Sequence, residues 1–306
     1  MTPRLTAQCY LVALVWIIGG CRGKETARPD SASSLPPVFP SGPAANTGWN
    51  PNAGPVMIVS AGGNTDTVAV ILPDATDSTI ESLQSISAPV SGLTFDLFGR
   101  AGKIASAIAA SPLPATDSTQ ECYSWPLARL RSPHANWQIG FVSGRVQPIT
   151  LDSIEGMPAA DSAALAVSLA QTAATLPVAS DPTFRGLPFR VRSAYRFRLD
   201  TVDVVIVDVV RTVNEEANPR VEHLLIIGER RRGASGKFNV GYYSRNAGPE
   251  ESTQATEILA AVRVGVDKKP TAVLSIEYDE GGKLELVERS ASGEWRVTWE
   301  SAYTDC

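Results

Sequence analysis

Two histidines, four cysteines and a few clusters of charged side chains are the groups in this 306-residue chain that could carry chemistry. A Ser-His-Asp relay needs a histidine base beside a nucleophile. His223 lies inside the apolar run 221–228 and reads as a core residue with a hydrogen-bonding partner. His134 lies in a polar turn, and no Gly-x-Ser-x-Gly occurs anywhere to supply a serine. Zinc asks for several His or Cys ligands at close spacing, and none are grouped that way, so neither metal nor cofactor is expected. Gly233-Ala234-Ser235-Gly236-Lys237 looks like a fragment of a phosphate loop. It lacks the four-residue spacer and the following Ser or Thr, and reads as a hairpin tip.

Two charged groups remain. Acids stand at Asp200, Asp203 and Asp208 and at Asp279-Glu280. A carboxylate pair could hydrolyse a glycan if the two groups stood roughly 5 to 9.5 Å apart. Pairing with neighbouring arginines is the simpler use. The basic cluster Arg230, Arg231, Arg232 and Lys237 could grip an anionic glycan or a lipid headgroup. A charged loop that guards a hairpin against edge pairing accounts for the same residues.

The elements that must position these groups are mainly β. Residues 56–59 and 67–72 flank Ala61-Gly62-Gly63-Asn64, and residues 93–98 and 103–110 flank Arg100-Ala101-Gly102, so two hairpins are expected. Each is followed by the pentapeptide Ala-Thr-Asp-Ser-Thr, at 75–79 and 115–119, an offset that suggests either a repeated unit or coincidence. Ser78 to Glu81 fits a capping box, so a short helix is expected through Ile86. Residues 122–131 and 137–151 read as two further strands. Pro158 opens the best helix of the chain, about 158–176, with Leu165, Leu169 and Leu176 on one face and Pro177 after its end. Beyond it, residues 189–199 alternate, Phe189, Val191, Tyr195, Phe197 and Leu199 against four arginines, and residues 202–212 are apolar on both faces. Strand-like runs continue to Ser301, and the last sets Trp295, Val297, Trp299 and Tyr303 against Arg296 and Thr298. The fold class is therefore mainly β: an antiparallel meander curled into a barrel-like or two-layer sheet, with one covering α-helix.

Residues 11–18 form an apolar run too short to span a bilayer, which needs roughly 20 residues. Arg4 precedes it and Ile18-Gly19-Gly20-Cys21 ends it. This stretch resembles the signal peptide and lipobox of bacterial lipoprotein precursors. The resemblance covers residues 1–21, with Ile18 in the Leu slot and Gly19 departing from Ala or Ser. It implies cleavage before Cys21, a diacylglycerol thioether on that residue and an N-acyl chain such as palmitate, which together make a stable membrane anchor. It also implies export to the cell envelope, and Arg22 in place of Asp leans towards the outer membrane. Residues 21–55, with seven prolines from Arg22 to Pro55, then read as a linker. A hairpin-rich first half with the helix (56–180) and the meander (181–306) follow, packed as one unit.

Removing residues 1–20 takes away Arg4 and no acid, so 26 Lys and Arg face 32 Asp and Glu, a formal charge of −6. That balance disfavours nucleic acid as a partner. With no catalytic constellation in view, the expected role is non-catalytic: envelope binding, assembly or scaffolding, with the membrane through the anchor and an envelope protein or glycan as partners. The alternative is a cofactor-free, carboxylate-based envelope hydrolase. If Cys9 is removed and Cys21 acylated, as the resemblance implies, Cys122 and Cys306 are left as the pair that an oxidising compartment would bridge. Thiol labelling of the denatured, unreduced protein should then find no free cysteine; two labelled positions would refute the bridge.

Overall fold

A computed structural model describes residues 56–61, 64–77, 90–112, 125–131, 135–177, 181–214, 218–234, 236–278 and 281–305. Cys9, Cys21, Cys122, Cys306, His134, Asp279, Glu280, the 21–55 linker, the expected helix through Ile86 and the second pentapeptide lie outside the described residues. All strand pairs described are antiparallel.

Six short strands close a barrel: β1 (Met57–Ala61), β2 (Asn64–Ile71), β3 (Thr94–Gly99), β4 (Gly102–Pro112), β5 (Leu127–Arg131) and β6 (Ile139–Val142), in the order β1-β2-β5-β4-β3-β6. Both expected hairpins therefore belong to one closed sheet. The barrel shares one buried cluster with the sheet beside it, including Met57, Ile58, Phe95, Phe98 and Phe141, with the Phe98 and Phe141 rings edge-on at 5.8 Å. Gly140 has to be glycine, because a Cβ there would stand 2.6 Å from Ile58 Cγ1. Asp96 accepts from Ser106 Oγ (2.9 Å) and Ser143 Oγ (2.8 Å), with Lys103 Nζ at 2.8 Å. Burial works to raise its pKa, but the hydrogen bonds from Lys103, Ser143 and Ser106 outweigh it and hold the carboxyl below its usual value.

Residues 137–151, expected as one strand, are two, broken at the turn Ser143-Gly144-Arg145: β6, and β7 (Val146–Ile149), which leaves the barrel. β7 forms the edge of a six-stranded sheet, and β8 (Asp152–Ser153) the edge of a five-stranded one. Then come α1 (Ala159–Thr175), β9 (Arg190–Arg198), β10 (Val202–Val213), β11 (Arg220–Arg231) and β12 (Asn239–Pro249). These make the five-stranded sheet β12-β11-β10-β9-β8. The chain ends in β13 (Ala255–Val264), β14 (Lys269–Tyr278), β15 (Gly281–Arg289), β16 (Trp295–Glu300) and β17 (Thr304–Asp305), which complete the other sheet as β16-β15-β14-β13-β7, with β17 on β15.

Three cores separate four layers. One face of the six-stranded sheet joins the barrel core through Leu259, Val262, Val273 and Leu286. Its other face meets the five-stranded sheet across Ile258, Leu274, Val204, Ile206, Leu225 and Trp295. The outer face of the five-stranded sheet, with Val205, Val207, Leu224 and Ile226, packs under α1 through Leu169 and Ala173. β10 is central, and its β-branched run Val204-Val205-Ile206-Val207 is buried on both faces, as its unbroken apolarity predicts.

Two alternations read as continuous are split by bulges. In β9 the register slips at Arg192, so Phe189 and Val191 face α1 while Tyr195, Phe197 and Leu199 face the other sheet. In β16 it slips at Thr298, so Trp295 and Val297 enter the core between the sheets and Trp299 the barrel side. There Trp299 Nε1 donates to Pro73 O at 2.7 Å. Trp295 is 3% exposed and its ring meets Phe197 edge-on at 6.2 Å, whereas Arg296 faces solvent. Trp295→Ala should cost roughly 3–5 kcal/mol in urea denaturation, and Arg296→Ala about 0.5 kcal/mol or less. Equal losses would contradict this placement.

Candidate functional site

A cleft of about 320 Å³ opens between α1 and the outer face of the five-stranded sheet. Strand register builds its floor. Asp200 and Thr201 form a two-residue turn, closed by Leu199 N donating to Val202 O at 3.0 Å, and this pairs Arg198 with Asp203. The next strand sets Arg230 opposite Asp203, giving a cross-strand row Arg198, Asp203, Arg230. Two residues further along the same face lies a second row: Asp152, Arg196, Val205, Gly228. Gly228 leaves room at its end, where a Cβ would come 3.0 Å from Phe238 Cβ.

The roof is helical. Pro158 caps α1 in extended geometry with its φ near −51°, and Asp161 falls in the first turn, where a carboxylate meets the helix dipole favourably. Asp161, Ala164, Leu165 and Ser168 follow the i, i+3, i+4, i+7 spacing and line the cleft, while Leu169 and Ala173 enter the core. Thr172, buried beside them, donates to Ser168 O at 2.9 Å, which satisfies its hydroxyl.

The charges in the cleft are incompletely matched. Arg198 Nε stands 3.9 Å from Asp203 Oδ1, with most of the Arg198 side chain in solvent. Arg230 stacks its guanidinium over Phe238 at 4.4 Å and donates Nη1 to Gly236 O at 3.1 Å. The Nε atoms of Arg230 and Arg196 are both buried without a hydrogen-bond acceptor among the described residues. Asp152 lies across from Arg196 in register, yet no ion pair closes between them. Nε of Arg220 and Arg245 on the same sheet is unmatched in the same way. What distinguishes the cleft is that its guanidiniums on Arg196 and Arg230 have no carboxylate partner among the described residues. A charge-assisted bond from their terminal nitrogens is open to an incoming oxyanion.

The sequence-derived candidates are dispersed. Of the basic cluster, Arg230 alone enters the cleft; Arg231 and Lys237 are exposed, and Arg232 donates to Leu199 O. Consecutive strand residues point to opposite faces, so a run of three arginines cannot share a site. Of the acids, Asp203 lines the cleft and Asp200 sits exposed in the turn. Asp208 is fully buried on the opposite face, bound to Arg192 and 3.3 Å from His223 Nδ1, so the expectation of a partnered core histidine holds. Arg196, Arg198, Asp152 and Asp161 are not singled out by sequence reading. The two-residue turn at 200–201 carries the signal for Arg198 and Asp203; Asp152 and Asp161 reach the cleft through tertiary packing alone. Among the described residues no group of three or more His, Cys, Asp or Glu converges in a way that could hold a metal ion. No family model, no curated protein and no solved structure matches the chain.

A second charged cluster occupies the far end of the same face. Glu222, fully buried, accepts from Arg211 Nε at 2.6 Å and also pairs with Arg245, while Arg211 lies 4.6 Å over the Phe189 ring. Burial lowers the pKa of both arginines, and for Arg245 the Arg211 charge adds to it. Glu222→Gln leaves two desolvated guanidiniums facing each other and should cost about 3–5 kcal/mol by urea denaturation. A loss under about 1 kcal/mol would mean that water reaches the cluster.

Proposed function

We propose that this chain is an exported, lipid-anchored envelope protein with a non-catalytic binding or scaffolding role, and that the cleft under α1 is its binding site. The single observation that carries the binding role is that Arg196 and Arg230 line the cleft with no ion-pair partner among the described residues. Both residues sit on strands of one sheet, which fixes their backbones before a ligand arrives. The anchor rests on Ile18-Gly19-Gly20-Cys21, and the proline-rich composition of 22–55 suits a spacer, since a polyproline-like chain extends about 3.1 Å per residue and one of this length would hold the β framework clear of an outer-membrane surface.

A carboxylate-based hydrolase is the second reading, favoured by one observation: Asp152, Asp161 and Asp203 line the same cleft. Two experiments test these readings. Mass spectrometry should find acylated Cys21 at the mature N-terminus, and Cys21→Ser should leave an uncleaved or unacylated protein; an unmodified wild-type terminus refutes the anchor. The purified protein should turn over no member of a glycan panel. Turnover abolished by Asp152→Asn or Asp161→Asn would establish the hydrolase instead.

A further inference from the structure

We infer that the cleft binds a small zwitterion, an α-amino acid or dipeptide, with its carboxylate on Arg196 and Arg230 and its ammonium group facing Asp152 and Asp161. This rests on the non-catalytic reading of the site and names its ligand. The lining carries three guanidiniums, on Arg196, Arg198 and Arg230, and three carboxylates, on Asp152, Asp161 and Asp203. Opposite charges in equal number favour a ligand that carries both signs. A phosphate or sulfate would meet the same arginines but also three aspartates that repel it, and a simple amine would meet the arginines.

The groups left unmatched are of both kinds. Arg196, Arg230, Asp152 and Asp161 all have no ion-pair partner among the described residues. Asp203, by contrast, already faces Arg198 at 3.9 Å. Strands β9 and β11 are two inter-strand spacings apart, about 10 Å, so two long arginine side chains on one face can converge on a single carboxylate. Asp161 on the first turn of α1 and Asp152 on the sheet edge then mark where a cation settles. Met157, Leu165 and Phe238 give the cleft an apolar wall for a side chain. Its 320 Å³ lies at the small end of ligand pockets, which run from about 300 to 1,000 Å³, and suits a dipeptide better than an oligomer.

Isothermal titration of the purified full-length protein in detergent tests this, with alanyl-alanine, N-acetyl-alanyl-alanine, alanyl-alanine amide and inorganic phosphate as probes. Alanyl-alanine should bind, each blocked form should bind about tenfold or more weakly, and phosphate should bind more weakly than the dipeptide. Arg196→Gln should weaken alanyl-alanine about tenfold or more while unfolding at the wild-type temperature. Asp161→Asn, on the exposed face of α1, should weaken alanyl-alanine and leave the N-acetyl form unchanged. The assignment is overturned if alanyl-alanine gives no binding up to about 10 mM, if the blocked forms bind equally well, if phosphate binds more tightly, or if folded Arg196→Gln or Asp161→Asn binds alanyl-alanine like wild type. None of these outcomes touches the non-catalytic reading, which fails separately, on turnover.

Discussion

The carboxylate of Glu229 joins the two large sheets, and the cleft depends on it. Glu229 Oε1 accepts from Arg289 Nε at 2.6 Å and from Trp295 Nε1 at 2.7 Å, and Oε2 accepts from Arg289 Nη2 at 2.7 Å. The bidentate pair holds the Arg289 pKa above its usual value, Glu229 being the largest cause. Gly293, at φ +83°, completes the fit, since a Cβ there would stand 3.2 Å from Glu229 Oε2. A buried ion pair adds little net stability compared with an apolar replacement, but it admits one geometry. It fixes the end of β11 against β15 and β16. Because strand residues alternate, the next residue, Arg230, is then aimed at the opposite face, into the cleft.

The same face-by-face logic distributes the rest of the charge. On the inner face of the five-stranded sheet Asp208 is bound by Arg192 and lies near His223, and Glu229 by Arg289 and Trp295. On the outer face Glu222 is shared by Arg211 and Arg245 at one end, and the cleft lies at the other. The fully buried carboxylates of this sheet, Asp208 and Glu222, therefore have arginine partners, whereas under the first turn of α1 Arg196 and Arg230 have no carboxylate partner among the described residues. There Arg196 and Asp152 lie in register without closing a pair.

Much of this fold is legible in the sequence. The hairpins of β1–β2 and β3–β4, the central strand β10 and the helix between Pro158 and Pro177 follow from turn residues, β-branched runs and 3.6-residue spacing. Two features escape. A bulge inserts one residue without altering composition, so the alternations of β9 and β16 look continuous although each changes face, at Arg192 and at Thr298. The crossing of the chain from barrel to both sheets within residues 139–153 is set by tertiary pairing of β7 with β13 and of β8 with β9. Those contacts span more than 40 residues and leave no local mark. The site shows the same division: the Arg198–Asp203 pair is written into a two-residue turn, while Asp152 and Asp161 arrive by packing.

The central claim is that Arg196 and Arg230 act together as the receptor for one carboxylate. Nuclear magnetic resonance of the arginine Nε–Hε groups, followed while alanyl-alanine is titrated into the full-length protein, tests this most directly. Resonances of Arg196 and Arg230 should shift together and saturate at one ligand concentration, while those of Arg192 and Arg289, already held by Asp208 and Glu229, stay in place. Stationary Arg196 and Arg230 resonances, or shifts confined to Arg231 and Arg232 on the exposed turn, would contradict it.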